Sequence, residues 1–217
     1  MDVYIICGGE GTRVSAYTTW YECSKHEIPI NGIPFNVYME RWLRSNRIIG
    51  NVYYSDQPGV GTGGAIKSMD KYLKIDIRVP FVAIYGDCYS PIDIYDMYRE
   101  LLELDADMMV ATRLVNEPDY GKVNVYHGNE YDYVESYVRK HDSDSYMTNT
   151  GMYMIDRRAY EYIRNIPWDT SGSVSLEDNF NAIFRSLRCI SYDTTELPYY
   201  DIGTPKRIIS TMEVLGR

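Results

Sequence analysis

The sequence predicts an α/β protein in which a Rossmann-like mixed, mostly parallel sheet is flanked by helices, with a small antiparallel portion in the second half. Three observations lead there. Short apolar runs suited to buried strands alternate with segments of helical period through residues 1–115. The first such run, Val3-Tyr4-Ile5-Ile6, ends in a glycine-rich loop, Cys7-Gly8-Gly9-Glu10-Gly11-Thr12-Arg13. After Asp119 two strand-like runs flank His127-Gly128-Asn129-Glu130, the pattern of an antiparallel hairpin.

The elements follow in order. Residues 3–7 form the first strand. Past the loop, Phe35, Tyr38, Met39, Trp42 and Leu43 fall on one helical face. Residues 51–55 form a strand, and a helix from Gly64 carries Ala65, Ile66, Met69 and Leu73. The apolar run 79–85 is a strand leading into Gly86-Asp87, Asp93 caps a helix that runs through Leu104, and 108–112 is a further strand. Residues 123–126 and 133–138 are the hairpin strands. Strand 151–155, helices 157–166 and 176–187, strand 189–192 and a helix after Pro205 complete the chain. With no repeat, low-complexity tract or linker, residues 1–217 read as one domain. Its first half, 1–115, carries the glycine-rich loop and the alternating strands and helices, and residues 116–217 continue it without a break.

Bulk properties narrow the function. A net charge of −9 argues against broad nucleic-acid or anionic-membrane binding and favours a small ligand. No apolar run approaches the roughly 20 residues of a membrane span. The start Met1-Asp2-Val3-Tyr4 lacks a basic segment, so no secretory signal is expected and a cytoplasmic location is. Four widely spaced cysteines without C-x-x-C fit reduced thiols. A homo-oligomer is compatible with all of this.

The chemistry begins in the first loop. Gly8, Gly9 and Gly11 expose backbone N–H groups without Cβ obstruction, Glu10 lies between them, and Thr12 and Arg13 add a hydroxyl and a guanidinium. That composition suits a triphosphate cradle, although Gly-Gly turns also end strands for conformational reasons alone. Lys25 follows, before Pro29-Ile30-Asn31-Gly32-Ile33-Pro34-Phe35.

The order G-G-E-G-T-R, K, P-I-N-G-I-P-F resembles the nucleotidyltransferases that make nucleotide sugars from a sugar 1-phosphate and an NTP. The resemblance extends along the chain. Gly61-Thr62-Gly63-Gly64-Ala65-Ile66, Tyr85-Gly86-Asp87, Tyr120-Gly121-Lys122-Val123 with Lys140, Asn149-Thr150-Gly151-Met152-Tyr153, Ser175-Leu176-Glu177 and Asp201-Ile202-Gly203-Thr204-Pro205 are similar to that family's motifs, in the family's order. It implies a nucleotide-diphospho-sugar transferase fold and a role for each motif. Arg13 braces the leaving phosphates and Lys25 bridges the α-phosphate and the incoming phosphate. Asp87 and Asp201 share one Mg²⁺ with phosphate oxygens. Gly121, Lys140, Asn149, Gly151 and Glu177 hold the sugar phosphate, while Gly61, Thr62, Gly63 and Gly64 line the base. The sugar phosphate is ionised near neutral pH, so the reaction needs no general base.

Asp56 occupies the position before G-T-G-G where the resemblance implies a side chain against the base edge. A carboxylate only accepts hydrogen bonds, and guanine offers adjacent N1–H and N2–H donors. The short chain and its motif spellings look closest to the D-glycero-D-manno-heptose 1-phosphate guanylyltransferase branch, which implies GTP and a heptose or mannose-like 1-phosphate. Other bases, hexose 1-phosphates and phosphocholine remain open. The departures are Ser24-Lys25-His26 where relatives have P-K-P, a slightly long stretch from Arg13 to Lys25, a missing strand and helix between Arg47 and Asn51, and Arg139 where Glu is common.

Duller readings stand beside these. An aspartate after a strand is often a turn residue, Glu177 suits a helix first turn, and His26, His127 and His141 read as surface residues. Gly59-Val60-Gly61-Thr62-Gly63-Gly64 matches the G-x-G-x-x-G of NAD-dependent dehydrogenases, although that fingerprint normally opens a first βα unit. A catalytically silent nucleotide-sugar-binding regulator is the non-enzyme rival; retention of Arg13, Lys25, Asp87 and Asp201 argues against it.

Overall fold

The computed structural model describes residues 1–55, 57–71, 79–115, 120–138 and 147–216. Val3–Ile6 (β1), Ser15–Tyr21 (α1), Pro29–Ile30 (β2), Ile33–Pro34 (β3), Phe35–Ser45 (α2), Val52–Ser55 (β4), Gly61–Lys67 (α3), Phe81–Tyr85 (β5), Cys88–Tyr89 (β6) and Ile94–Glu103 (α4) form the first half. Met108–Leu114 (β7), Lys122–His127 (β8), Asp132–Val138 (β9), Met147–Ile155 (β10), Arg157–Asn165 (α5), Leu176–Ser186 (α6), Cys189–Asp193 (β11), Tyr200–Asp201 (β12) and Pro205–Leu215 (α7) follow.

Eight strands make one sheet in the order β4-β1-β5-β10-β7-β11-β9-β8. β4, β1 and β5 are mutually parallel, as are β7 and β11, whereas β10 and β9 run against their neighbours. The sheet is therefore mixed, with most strands in one direction, as the sequence suggests.

Both faces are covered, because alternate strand residues point opposite ways. Val3, Ile5, Val82 and Ile84 pack with Phe35, Met39 and Leu43 of α2, Met97 of α4 and Ile208 of α7. Tyr4, Phe81 and Ala83 pack on the other face with Ile66 of α3, Tyr160 of α5 and Phe180 of α6. Helix α4 starts where the sequence places its cap, with the Asp93 side chain accepting from the backbone N–H groups of Tyr95 and Asp96.

The structure departs from expectation at several places. α3 opens at Gly61 rather than Gly64, and Met69 sits in a following 3₁₀ turn, Ser68–Lys71; Leu73 lies outside the described residues. β10 begins at Met147, ahead of the expected start at Gly151, and its register with β7 shifts between Asn149 and Tyr153. The polar stretch after Arg13 holds α1, a helix with no buried residue and therefore no apolar periodicity to reveal it. No strand separates α2 from β4, which leaves β4 at the sheet edge as the shortened segment implies.

A separate two-stranded ribbon, in which Cys88 pairs with Asp201 and Tyr89 with Tyr200, has no counterpart in the sequence reading. Two-residue strands carry no periodic signal.

Phe180 is fully buried, with ring centroids 5.1 Å from Phe184, 5.2 Å from Tyr137 and 5.8 Å from Tyr153. Phe180→Ala is expected to lower unfolding stability by about 3–5 kcal/mol, read as a fall in the urea midpoint with little change in slope.

Candidate active site

The C-terminal ends of β1 and β5 carry the site, as parallel sheets usually arrange. The Cys7 N–H donates to the Ser55 carbonyl at 2.8 Å and the Gly86 N–H to the Ile6 carbonyl at 2.9 Å, so the glycine loop and the Gly86-Asp87 turn leave the sheet side by side. A Cβ on Gly8 would stand 2.2 Å from the Gln57 carbonyl oxygen, which explains a glycine there. Gly9, Glu10, Thr12 and Arg13 continue the loop on the exposed side, and Gly11 turns it with φ +64° next to the Lys25 side chain.

Lys25 opens the short 3₁₀ turn Lys25–Glu27, which is closed by a capping box between Ser24 and Glu27. Its ammonium pairs with the Asp87 carboxylate, with the side chains 17% and 27% exposed. Asp201 reaches the same spot through the ribbon. The Ile202 N–H donates to the Asp87 carbonyl at 2.9 Å, and the one point where a Gly203 Cβ would stand is 2.9 Å from Asp201 Oδ1 and 3.6 Å from Asp87 Oδ2. Burial, then the neighbouring Asp87 charge, pushes the Asp201 carboxyl above its ordinary pKa, while Arg207 opposes the shift through an Nη1 to Oδ2 contact of 3.2 Å.

Two facing carboxylates, each already countered by a protein cation, fit a divalent metal. A hard cation would relieve the mutual repulsion that raises Asp201, with phosphate oxygens and water completing its shell. Asp87 and Asp201 would hold it; bound, it would neutralise charge developing on the phosphates. Among the described residues no set of three or more His, Cys, Asp and Glu side chains gathers as a metal site, so such an ion would depend on substrate ligands.

Two cavities meet at Tyr85 and Asp87. One, of about 150 Å³, is lined by Cys7, Gly9, Lys25, His26 and Thr62; the other, of about 160 Å³, by Arg13, Gly121, Asn149, Gly151, Glu177 and Asp201. Of the residues expected to serve the nucleotide, Gly9, Lys25 and Thr62 line the first cavity and Arg13 the second, where Gly121, Asn149, Gly151 and Glu177, expected to serve the sugar phosphate, also stand. Asp56 and Lys140 lie outside the described residues, as do Arg139 and His141.

Some local roles differ from expectation. A Cβ on Gly63 would stand 2.8 Å from Val174 Cγ1, and one on Gly64 would stand 2.8 Å from Trp168 Cζ3. These glycines therefore admit the segment before α6, so close backbone packing explains them without a base. Glu177 is occupied as well. Its Oε2 accepts from Thr62 Oγ1 at 2.7 Å and Ser175 Oγ at 3.2 Å, while its Oε1 accepts from the Tyr85 hydroxyl. Tyr85 in turn accepts from Tyr153, and Tyr153 from Asn149 Nδ2. Burial, reinforced by the Glu177 charge, holds both phenols far above their usual pKa, so they act as neutral donors.

Among the expected surface histidines, His127 is exposed, but His26 is half-buried in the first cavity, its ring 5.8 Å from that of Tyr54. Its Nδ1 has no hydrogen-bond partner, and burial lowers its pKa. Tyr137, Tyr199 and Arg207 also line the second cavity; only the abundance of tyrosine hints at the first two.

The comparisons agree on a class. No family model matches the chain. It is 26% identical, over 95% of its own length and 96% of the relative's, to the D-glycero-alpha-D-manno-heptose 1-phosphate guanylyltransferase of Campylobacter jejuni. It is 23% identical over 97% of its length to the bifunctional protein GlmU of Methanococcus maripaludis, of which it spans about half, 53%. In fold it is similar to HddC from Yersinia pseudotuberculosis (TM-score 0.76, 23% identity, 99% of both chains) and to a UDP-glucose pyrophosphorylase complexed with UDP-glucose (TM-score 0.79, 17% identity, 100% and 98% of the two chains). The homologues and structural neighbours are sugar-1-phosphate nucleotidyltransferases, and this chain is similar to them in sequence and shares their fold. No helix among the described residues is long and apolar enough to cross a membrane.

The half-buried His26 supplies a pH test. Its folded-state pKa lies below the ordinary histidine value, so its contribution to stability is complete above about 6.5 and declines as pH falls toward the lower folded value. His26→Gln is expected to flatten the fall in urea midpoint between pH 7.5 and pH 5 relative to wild type, measured by far-UV circular dichroism.

Proposed function

We propose that this chain transfers a guanylyl group from GTP to the 1-phosphate of a heptose or mannose-like sugar, giving a GDP-sugar and pyrophosphate, with Mg²⁺ held by Asp87 and Asp201. The observation that carries the reading is the junction of the two cavities at Asp87, with Lys25 paired to that carboxylate. A nucleotide on the glycine-loop side and a sugar phosphate on the Asn149 side would place their phosphates at this junction. The sugar-phosphate oxygen then attacks the α-phosphorus, the α–β bridging bond breaks, and pyrophosphate leaves with its electron pair. Such a reaction demands positioning and charge neutralisation. Lys25 stabilises the α-phosphate, Arg13 the departing pyrophosphate, and the sugar rests against Gly121, Asn149 and Gly151. Residues 1–115 would supply the nucleotide side and 116–217 the sugar side, in the cytoplasm.

Guanine is favoured by the carboxylate of Asp56 and by the guanylyltransferase relative, and the HddC neighbour is known in complex with GMP-PN. A uridylyl- or thymidylyltransferase acting on a hexose 1-phosphate is the second reading, favoured by the UDP-glucose-bound neighbour. The dehydrogenase reading loses its support, because Gly61, Gly63 and Gly64 are packed against Val174 and Trp168.

Pyrophosphate release across NTPs and sugar 1-phosphates tests the proposal. Lys25→Ala and Asp87→Asn are each expected to lose on the order of 10²-fold or more in rate; near-normal turnover in both would refute their roles. Asp56→Asn is expected to shrink a GTP preference worth on the order of a few kcal/mol, because a wrong base leaves the carboxylate unpaired. A wild-type enzyme that prefers UTP or dTTP would end the guanylyl assignment and leave the nucleotidyl one.

A further inference from the structure

Arg207 stands just beyond Asp201-Ile202-Gly203-Thr204-Pro205, in the first turn of α7, whose N-cap Thr204 accepts from the Arg207 N–H at 3.3 Å. Its side chain is only 12% exposed and turns back over the cleft. Nη1 donates to Asp201 Oδ2 at 3.2 Å, and the guanidinium carbon lies 3.7 Å from the centroid of the Tyr120 ring. Stacking on one side and the ion pair on another fix its orientation. Nη2 is nonetheless buried without an acceptor.

A buried guanidinium N–H without a partner is unfavourable and calls for an explanation. Here the explanation lies in the cleft wall. Arg207 lines the cavity that also presents Asn149, Gly151 and Glu177, beside the first turn of an eleven-residue helix whose dipole favours anions. A sugar 1-phosphate would bring a phosphate dianion into a cleft that already holds the carboxylates of Asp87, Asp201 and Glu177. Among the described residues only Arg13 and Arg207 bring cationic side chains to this cavity, and Arg13 is assigned to the pyrophosphate.

We propose that Arg207 is a ligand of the sugar-borne phosphate, its Nη2 turning out of its buried position to donate to a phosphate oxygen while Nη1 stays on Asp201. The proposal rests on the reading of this cavity as the sugar-phosphate site. It makes Arg207 the link between acceptor binding and the metal carboxylate, and it accounts for a guanidinium rather than an ammonium, because two donors must reach two acceptors from one stacked plane.

Binding titrations followed by ³¹P NMR test this without turnover. The probes are inorganic phosphate, mannose 1-phosphate and glucose 1-phosphate; calorimetric titrations of unphosphorylated mannose and of GTP are the controls. Arg207→Gln is expected to weaken every phosphate probe that wild type binds by about 10-fold or more, and Arg207→Lys by less, since a charge remains but not the fork. GTP affinity is expected to stay within about twofold, because it does not depend on Nη2, whereas the Mn²⁺ affinity read by electron paramagnetic resonance is expected to rise in Arg207→Gln, which frees Asp201 from its competing cation, and to change less in Arg207→Lys. Unchanged phosphate affinity in both variants would overturn the proposal. So would a change confined to Mn²⁺, which would mean that Arg207 acts only through Asp201, or a wild type that binds none of the three phosphates. If Arg207→Gln fails to fold, Arg207→Lys decides by the same readings. A chain that binds phosphates through Arg207 yet releases no pyrophosphate with any NTP would sink the nucleotidyltransferase reading alone.

Discussion

The pairing of Cys88 with Asp201 in the small ribbon is the contact on which the site depends. Asp87 and Asp201 lie in opposite halves of the sequence, yet each belongs to or adjoins the same two-strand pairing, so their carboxylates are set by backbone hydrogen bonds rather than by flexible side-chain reach. Like charges held this close repel. The fold offsets the repulsion with one cation on each side, Lys25 on Asp87 and Arg207 on Asp201. Breaking either pair leaves a partly desolvated charge without its partner, which costs more than the pair contributes.

Glu177 ties the two halves of the chain together. Through Thr62 it holds the start of α3, and through Tyr85 and Tyr153 it reaches Asn149. Phenols kept neutral by burial can donate along this line, and a carboxylate at its end fixes the direction of each donor. Helix α3 and strand β10 therefore share one hydrogen-bonded chain. Gly63 and Gly64 serve the same junction by letting Val174 and Trp168 approach α3.

What can be read from the sequence follows a physical line. Strands with four or more buried residues and helices with an apolar stripe are legible, because burial imposes a period. The glycine loop, Lys25, Asp87 and Asp201 are legible as residue types that phosphate and metal chemistry requires, but their meeting is legible only through the family resemblance, since a two-residue ribbon leaves no periodic trace. Glu177 is legible as part of a motif, whereas its engagement by Thr62 and Tyr85 depends on side-chain directions that only the folded chain fixes. His26 follows Lys25 and reads as a surface residue, whereas in the fold its ring stands beside that of Tyr54 on the edge strand. Arg207 carries no signal beyond lying close after a recognisable run.

The charge distribution reconciles an acidic protein with anionic ligands. A chain of net charge −9 repels phosphates at long range, and salt screens that field beyond about 10 Å. Within the cleft the balance is local. Lys25, Arg13 and Arg207 border the same small space as the carboxylates, and the acidic pair gives a divalent cation a reason to enter with its phosphates. On the proposed reading, a metal that takes up Asp87 and Asp201 competes with the cations now paired to them, leaving Lys25 free to turn to the α-phosphate. The ion pairs with Asp87 and Asp201 thus hold the two cations within reach of the groups they would meet on this reading, so little reorganisation is needed there.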